Sequence, residues 1–151
     1  MRLEQKLKPK NPEFLKRVHE IFDRAPFIRD IGLKLESAEI GRAVTSLEIK
    51  EKHMQQNNFV HAGVLSTMAD HTAGCAGGSL IAPDEVVLSV EYKINLLRPA
   101  IGESLRCEAQ VLRNGKTLII VDSFVYATQK GREKLTARAT VTLAVVGSSY
   151  D

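Results

Sequence analysis

Apolar residues recur along the chain with two spacings, one typical of a helix and one typical of strands. Between residues 60 and 79 they return every three or four positions, as on one face of an α-helix. Four later segments alternate apolar and polar residues or run apolar, and they are rich in the β-branched residues that favour strands. These segments are residues 86–97, 104–112, 117–128 and 134–146. The pattern predicts one long helix and an extensive sheet.

The part of the chain before the long helix predicts three further elements. Residues 12–25 form an amphipathic helix with their large apolar side chains on one side. Residues 32–39 and 42–50 have the pattern of two strands joined in a hairpin around Ile40 and Gly41.

Short turns at Asn114-Gly115 and Lys130-Gly131 join the later strands as hairpins. The order is therefore a helix, two strands, the long helix and four strands. A sheet and a helix of this kind bury one face against each other, and 151 residues suffice for one domain with a sizeable core. We expect a single α+β domain over residues 1–151.

The long helix has two faces of different character. One is mostly apolar, while the opposite side holds small residues and a single carboxylate, Asp70. A glycine inside a helix costs about 1 kcal/mol relative to alanine, so close approach of another backbone or a ligand would explain the small face. Asp70 is therefore a candidate catalytic group, and an ordinary solvated aspartate is the alternative. The apolar face is predicted to hold Val64, Leu65, Met68, Thr72, Cys75 and Ser79, and the small face Gly63, Ser66, Asp70, Gly74 and Gly77.

Polar side chains crowd the loop just before this helix, namely Gln55, Gln56, Asn57, Asn58 and His61. The free amides and positive dipole end of a helix N-terminus stabilise developing negative charge. A turn with local capping is the alternative reading of the same residues. Together with a carboxylate, a polarising helix start indicates acyl chemistry.

The sequence QQNNFVHAGVLSTMAD, residues 55–70, resembles the active-site signature of the PaaI-type acyl-CoA thioesterases of the hotdog-fold superfamily. Gln55 holds the place of an amide that is often Asn, and Asn58 holds a turn position that is often Gly. His61, Ala62 and Gly63 stand in place of His-Gly-Gly, and Asp70 follows the histidine by the required nine positions. Asn tolerates the left-handed conformation well, Ala62 retains its backbone amide, and Gln55 shifts the amide by one methylene.

Residues 89–99 resemble the strand after the family's central helix, which ends in an Arg-Pro or Ser-Pro pair, and residues 113–118 resemble its next hairpin. The resemblance covers about residues 31–146. It implies a hotdog fold, in which an antiparallel β-sheet wraps around a long central helix, with an extra N-terminal helix within residues 1–30.

The resemblance implies hydrolysis of an acyl-CoA thioester without a metal or cofactor, CoA being part of the substrate. The Ala62 and Gly63 amides would contact the thioester oxygen, and His61 would order the loop. Asp70 would act either as general base or as nucleophile, alternatives that the sequence leaves open. Ser89 would orient Asp70 or its water.

The family also implies a homodimer, or a homotetramer built from dimers, with the site between subunits. Gln55 and Ala62 of one chain would face Asp70 and Ser89 of its partner. The resemblance assigns CoA contacts to the hairpin of Arg113, Asn114, Gly115 and Lys116, with Arg98 as a further cation. An ordinary solvated hairpin tip is the alternative.

Two other functions share this fold. A nonhydrolytic acyl-CoA binding or sensing module would not need Asp70, and a hotdog dehydratase would carry a Gly-His-Phe-Pro type signature, which is absent from the sequence. A sister thioesterase group, which includes aromatic-acyl specialists, has Glu where this chain has Asp70.

Composition limits the partners. The net charge of +3 is mild, and no basic, aromatic-rich motif indicates nucleic acid binding. No apolar run is long enough to span a membrane, and residues 1–10 lack the apolar part of a secretory signal. Cys75 and Cys107 have no metal-ligand spacing and are expected to be buried, although a nucleophilic cysteine is the alternative. We expect a cytoplasmic protein.

Overall fold

The computed structural model describes residues 7–149, which form one six-stranded antiparallel sheet packed against a long helix, with two short helices before it. The α+β hotdog architecture expected from the sequence is confirmed. The helices are α1 (Phe14–Asp23), α2 (Pro26–Ile31) and α3 (Ala62–Gly78), with a 3-10 turn at Glu51–His53. The strands are β1 (Lys34–Glu39), β2 (Arg42–Glu48), β3 (Glu85–Leu96), β4 (Ser104–Asn114), β5 (Leu118–Gln129) and β6 (Arg132–Gly147).

The strands lie in the order β1-β2-β4-β5-β6-β3, so that β1 and β3 are the two edges. The hairpins predicted at Ile40-Gly41, Asn114-Gly115 and Lys130-Gly131 are present, joining β1 to β2, β4 to β5 and β5 to β6. In the last of these turns both Lys130 and Gly131 have positive φ, as a tight two-residue hairpin requires.

Helix α3 lies across the sheet, and small side chains let it come close. Gly77, about two turns after Asp70 on the same side of α3, lies against the sheet, because a Cβ at Gly77 would overlap Leu143 Cδ1 of β6. The helix is also tied to the sheet by polar groups, because Thr45 Oγ1 and Thr72 Oγ1 lie 2.7 Å apart and are fully buried. The buried residues of α3 are Leu65, Met68, Ala69, Thr72, Ala73, Cys75, Ala76, Gly77 and Gly78.

The N-terminal part of the chain covers the outer side of α3. The predicted helix over residues 12–25 is confirmed as α1, whose Val18 and Phe22 are buried. A second helix, α2, was not predicted; it begins with Pro26 at its first turn and ends at Gly32, which has φ +81°. The basic residues at positions 1–6 lie outside the described residues. Within residues 7–149, no helix is long and apolar enough to cross a membrane.

Candidate active site

The loop before α3 has a shape fixed by its own hydrogen bonds. Gln55 N donates to Phe59 O at 2.7 Å, and the Gln55 side-chain oxygen accepts a hydrogen bond from the Asn57 amide. Asn58 has φ +62°, which explains why this position needs Asn or Gly. The oxygen of Gln55 is therefore engaged inside the loop.

His61 caps the first turn of α3. Its backbone is extended, with φ −61° and ψ 136°, and its Nδ1 accepts a hydrogen bond from the Gly63 amide at 2.8 Å. Its own amide donates to His53 O at 2.8 Å, and the buried His53 ring bridges Lys50 N and Ile31 O. The contacts support the loop-ordering role expected for His61.

Of the two backbone amides expected to contact a thioester oxygen, one already has a hydrogen-bond acceptor among the described residues and the other does not. The Gly63 amide is occupied by His61 Nδ1, so donation to a substrate would require that bond to break. The Ala62 amide belongs to the first turn, whose N–H groups have no partner within the helix, and no acceptor for it occurs in residues 7–149. Ala62 is therefore the available donor.

A groove of about 490 Å³ opens over the start of α3. We call it the helix-start groove; it is lined by Gln55, Gln56, Phe59, Val60, His61, Ala62, Leu65 and residues 96–100. A carbonyl oxygen placed here would meet the Ala62 amide and the positive end of the α3 dipole, both of which stabilise an oxyanion.

Asp70 lies half-buried in the middle of α3 and is held by β3. Ser89 Oγ donates to Asp70 Oδ1 at 2.6 Å, so these two predicted site residues are brought together. They open onto a cavity of about 170 Å³, the carboxylate cavity. Its other lining residues are Arg17, Ile21, His71, Gly74, Ile81, Glu85, Val86 and Val87.

Ala62 and Asp70 of one chain are too far apart to act on the same thioester. They are eight residues apart in one helix, which corresponds to about 12 Å along its axis. The helix-start groove and the carboxylate cavity also share no lining residue. A single described chain therefore holds the two halves of the predicted site separately.

His71 lines the carboxylate cavity, which the sequence did not predict, because a helical wheel points His71 away from Asp70. Its ring packs against Phe22 of α1, with centroids 5.3 Å apart, and lines the carboxylate cavity. Its Nε2 is buried without a hydrogen-bond partner among residues 7–149. Burial lowers the pKa of His71 below its usual 6.5, and the charge of Asp70 opposes this. Only the packing of α1 on α3 reveals this position.

The cations expected to contact CoA are not together. Arg113 and Lys116 are exposed at the β4–β5 turn, where Gly115 N donates to Leu118 O at 2.9 Å. Arg98 instead lies beside the helix-start groove, and its Nη1 donates to Leu135 O at 2.7 Å.

Neither cysteine lines the helix-start groove or the carboxylate cavity. Cys75 and Cys107 are free and fully buried, and burial raises the pKa of each thiol to about 12. Among residues 7–149, no three His, Cys, Asp or Glu side chains are grouped so that they could hold a metal ion.

Comparison with known proteins adds to this geometry. The sequence model of the thioesterase superfamily matches residues 57–134, which include both Asp70 and Ser89. A 1,4-dihydroxy-2-naphthoyl-CoA hydrolase of Listeria monocytogenes is 33% identical over 87 residues, or 58% of this chain and 71% of that protein.

Solved structures share the fold. A thioesterase family protein from Silicibacter pomeroyi is 33% identical and superimposes with a TM-score of 0.87, over 89% of this chain and 98% of that one. The PaaI protein of Escherichia coli, from the phenylacetic acid degradation operon, is 20% identical with a TM-score of 0.81, over 91% and 96% of the two chains.

Proposed function

The chain belongs to the thioesterase superfamily, and from that membership we propose that it hydrolyses acyl-CoA thioesters to a free acid and CoA. The observation that carries the proposal is the hydrogen bond from Ser89 to Asp70. It holds the Asp70 carboxylate at the edge of the carboxylate cavity, at the signature position of the family's catalytic carboxylate.

In the proposed reaction the thioester carbonyl lies over the start of α3. The Ala62 amide donates to the carbonyl oxygen, and this bond strengthens as negative charge develops on that oxygen. Gln55 lies in the same groove and can contact the carbonyl or the attacking water through its side-chain amide.

Asp70 supplies the attacking group by one of two routes. As general base, it takes a proton from a water that attacks the carbonyl carbon. As nucleophile, its oxygen attacks the carbonyl carbon and forms an anhydride that water then hydrolyses. In both routes the carbon–sulfur bond breaks and CoA leaves as the thiol after gaining a proton.

The site would be completed by a second copy of the chain. Strand β3 is a sheet edge and leaves large apolar side chains exposed: Leu88 by 40%, Val90 by 58%, Tyr92 by 47% and Leu96 by 54%. An exposed apolar edge of this kind is a template for pairing with another strand. Two-fold symmetric pairing of two β3 edges is antiparallel, and it would run the two α3 helices in opposite directions. Each helix start could then approach the carboxylate cavity of the other chain.

The proposal is tested by measuring thiol release from short, medium, long and aromatic acyl-CoAs. We expect turnover of at least one of these esters. Binding of acyl-CoA without thiol release across the whole panel would contradict the proposal and favour a binding or sensing module. Dehydration of a 3-hydroxyacyl-CoA without thiol release would instead indicate a hotdog dehydratase.

A further inference from the structure

A second groove, of about 600 Å³, adjoins the helix-start groove and is strongly basic. We call it the basic groove: Arg98, Lys130, Arg132 and Lys134 line it around Phe59, and no carboxylate in residues 7–149 lines it. None of the four cations forms a salt bridge within the described residues. Its size is typical of small-molecule sites.

In the β5–β6 hairpin, side chains of opposite charge lie on opposite faces of the sheet. Alternate residues of a strand point to opposite faces, so Arg132 and Lys134 face the groove while Glu133 faces away. Glu133 is occupied by Arg106, whose Nη2 and Nε lie 2.7 and 2.9 Å from its two carboxylate oxygens. This ion pair lowers the pKa of Glu133. The positive charge in the groove is therefore left without a local counter-charge from this hairpin.

The other side of the groove is held in place by backbone contacts. The amides of Leu97 and Arg98 both donate to Thr136 O, at 2.8 and 3.2 Å, and Arg98 Nη1 donates to Leu135 O at 2.7 Å. The carboxylate of Glu103 accepts from the Lys130 backbone amide at 3.1 and 3.2 Å, which fixes the turn without entering the groove. Hydrogen bonds therefore hold the backbone at Arg98 and at Lys130 in place.

The two grooves form a continuous path. Phe59, Arg98 and Pro99 line both of them. A ligand can therefore place negative groups among the cations while an attached arm runs past Phe59 to the Ala62 amide. An acyl-CoA has this layout, with phosphates at one end and the thioester at the other.

We propose that the basic groove binds the phosphates of the CoA nucleotide, an inference that rests on the proposed thioesterase function. It differs from the expectation for Arg113 and Lys116. Those residues lie beyond the opposite end of β5, a strand of 12 residues that spans roughly 35–40 Å. Within one subunit they cannot reach a CoA whose thioester lies at Ala62.

The test compares the Arg132→Gln/Lys134→Gln double variant with the wild type on two esters of the same acyl group, acyl-CoA and acyl-pantetheine. Acyl-pantetheine keeps the arm and the thioester but has no phosphate. The matched control is Lys16→Gln/Lys34→Gln, which removes two exposed charges from α1 and β1. Calorimetry with CoA provides a second readout that does not depend on turnover.

In the double variant we expect the KM for acyl-CoA and the Kd for CoA to rise at least about tenfold, because charge-assisted phosphate contacts are lost. With acyl-pantetheine as substrate, both the kcat and the KM of the double variant should match those of the control variant. Equal KM values for acyl-CoA in variant and control would overturn the assignment, as would an equal change for both esters. The same acyl group on an acyl carrier protein is the third substrate, and a loss of activity on this substrate alone would also overturn the assignment and indicate protein docking.

The two proposals fail in different ways. If the wild type hydrolyses no thioester, the proposed function fails, and the CoA affinity of the double variant still tests the groove. If the wild type hydrolyses acyl-CoA and the double variant binds CoA as tightly, the groove assignment alone fails.

Discussion

Ser89 Oγ donates a 2.6 Å hydrogen bond to Asp70 Oδ1, which joins the edge strand β3 to the middle of α3. The bond engages one carboxylate oxygen, and in the proposed reaction Oδ2 would receive the proton. Within residues 7–149 no other hydrogen bond to the Asp70 carboxylate is found. We therefore propose that Ser89 positions Asp70 for the reaction.

Replacing Ser89 by Ala should lower kcat by about ten- to hundredfold while KM changes little, because a hydrogen bond to a charged group is lost. Steady-state thiol release measures both constants. Ser89→Thr keeps the hydroxyl and should recover most of the kcat. Equal losses in the Ala and Thr variants would indicate a packing role instead.

Ala62→Pro removes the amide that the account places on the thioester oxygen. Proline is tolerated in the first turn of a helix, and the extended backbone of His61, with ψ 136°, suits a residue before proline. We expect kcat to fall by about 10²–10³ with the fold intact, as for other oxyanion donors. Ala62→Ser, which keeps the amide, should remain active, and an active Pro variant would exclude this donor.

The same variant tests whether the site is shared between subunits. Asp70→Asn and Ala62→Pro chains, each carrying a different tag, are expressed together and the mixed dimers are purified. If the site combines Ala62 of one chain with Asp70 of the other, one of the two sites in each mixed dimer is intact and activity returns. Mixed dimers as inactive as either parent would place both groups in one chain.

Replacing either of two glycines of α3 by alanine should change the free energy of unfolding in opposite directions. No atom lies within 4 Å of a Cβ built at Gly74, so Gly74→Ala should raise the free energy of unfolding by up to about 1 kcal/mol through helix propensity. At Gly77 the new Cβ would overlap Leu143 Cδ1, and overpacking should cost about 1–3 kcal/mol. Urea denaturation of both variants measures the difference, and equal effects would contradict this packing.

His71 should make the fold sensitive to acid. Its pKa is lowered in the folded state by burial, so below the usual value of 6.5 the unfolded chain binds the proton more readily. The free energy of unfolding should therefore fall as pH drops below about 6.5, and less steeply in His71→Gln. Urea denaturation across this range measures the slope. His19→Gln, at an exposed position on α1, is the control and should keep the wild-type slope.

Periodicity predicted α1, α3 and the strands β3 to β6 because each continues for ten residues or more. Helix α2 has only six residues and no repeating apolar pattern, so its limits at Pro26 and Gly32 became evident only in the structure. The signature spacing also placed Asp70, and the match at Ser89 predicted a partner that the structure shows within hydrogen-bonding distance.

Features that depend on contacts between distant segments were not predictable. A helical wheel placed Gly77 beside Asp70, but the wheel does not show where the sheet lies, and Leu143 of β6 meets that glycine. His71 gained its place in the carboxylate cavity from α1, which packs over it. The basic groove likewise combines Arg98, which follows β3, with the distant β5–β6 hairpin.

The central claim is that Asp70 is the catalytic carboxylate of a CoA thioester hydrolase. The most direct measurement is kcat for thiol release by Asp70→Asn on the best acyl-CoA found for the wild type, with KM and the free energy of unfolding measured alongside. Asn still accepts the Ser89 hydrogen bond but cannot serve as base or nucleophile. We predict a fall in kcat of at least about 100-fold with the other two quantities nearly unchanged. Hydrolysis at a near wild-type rate would contradict the account.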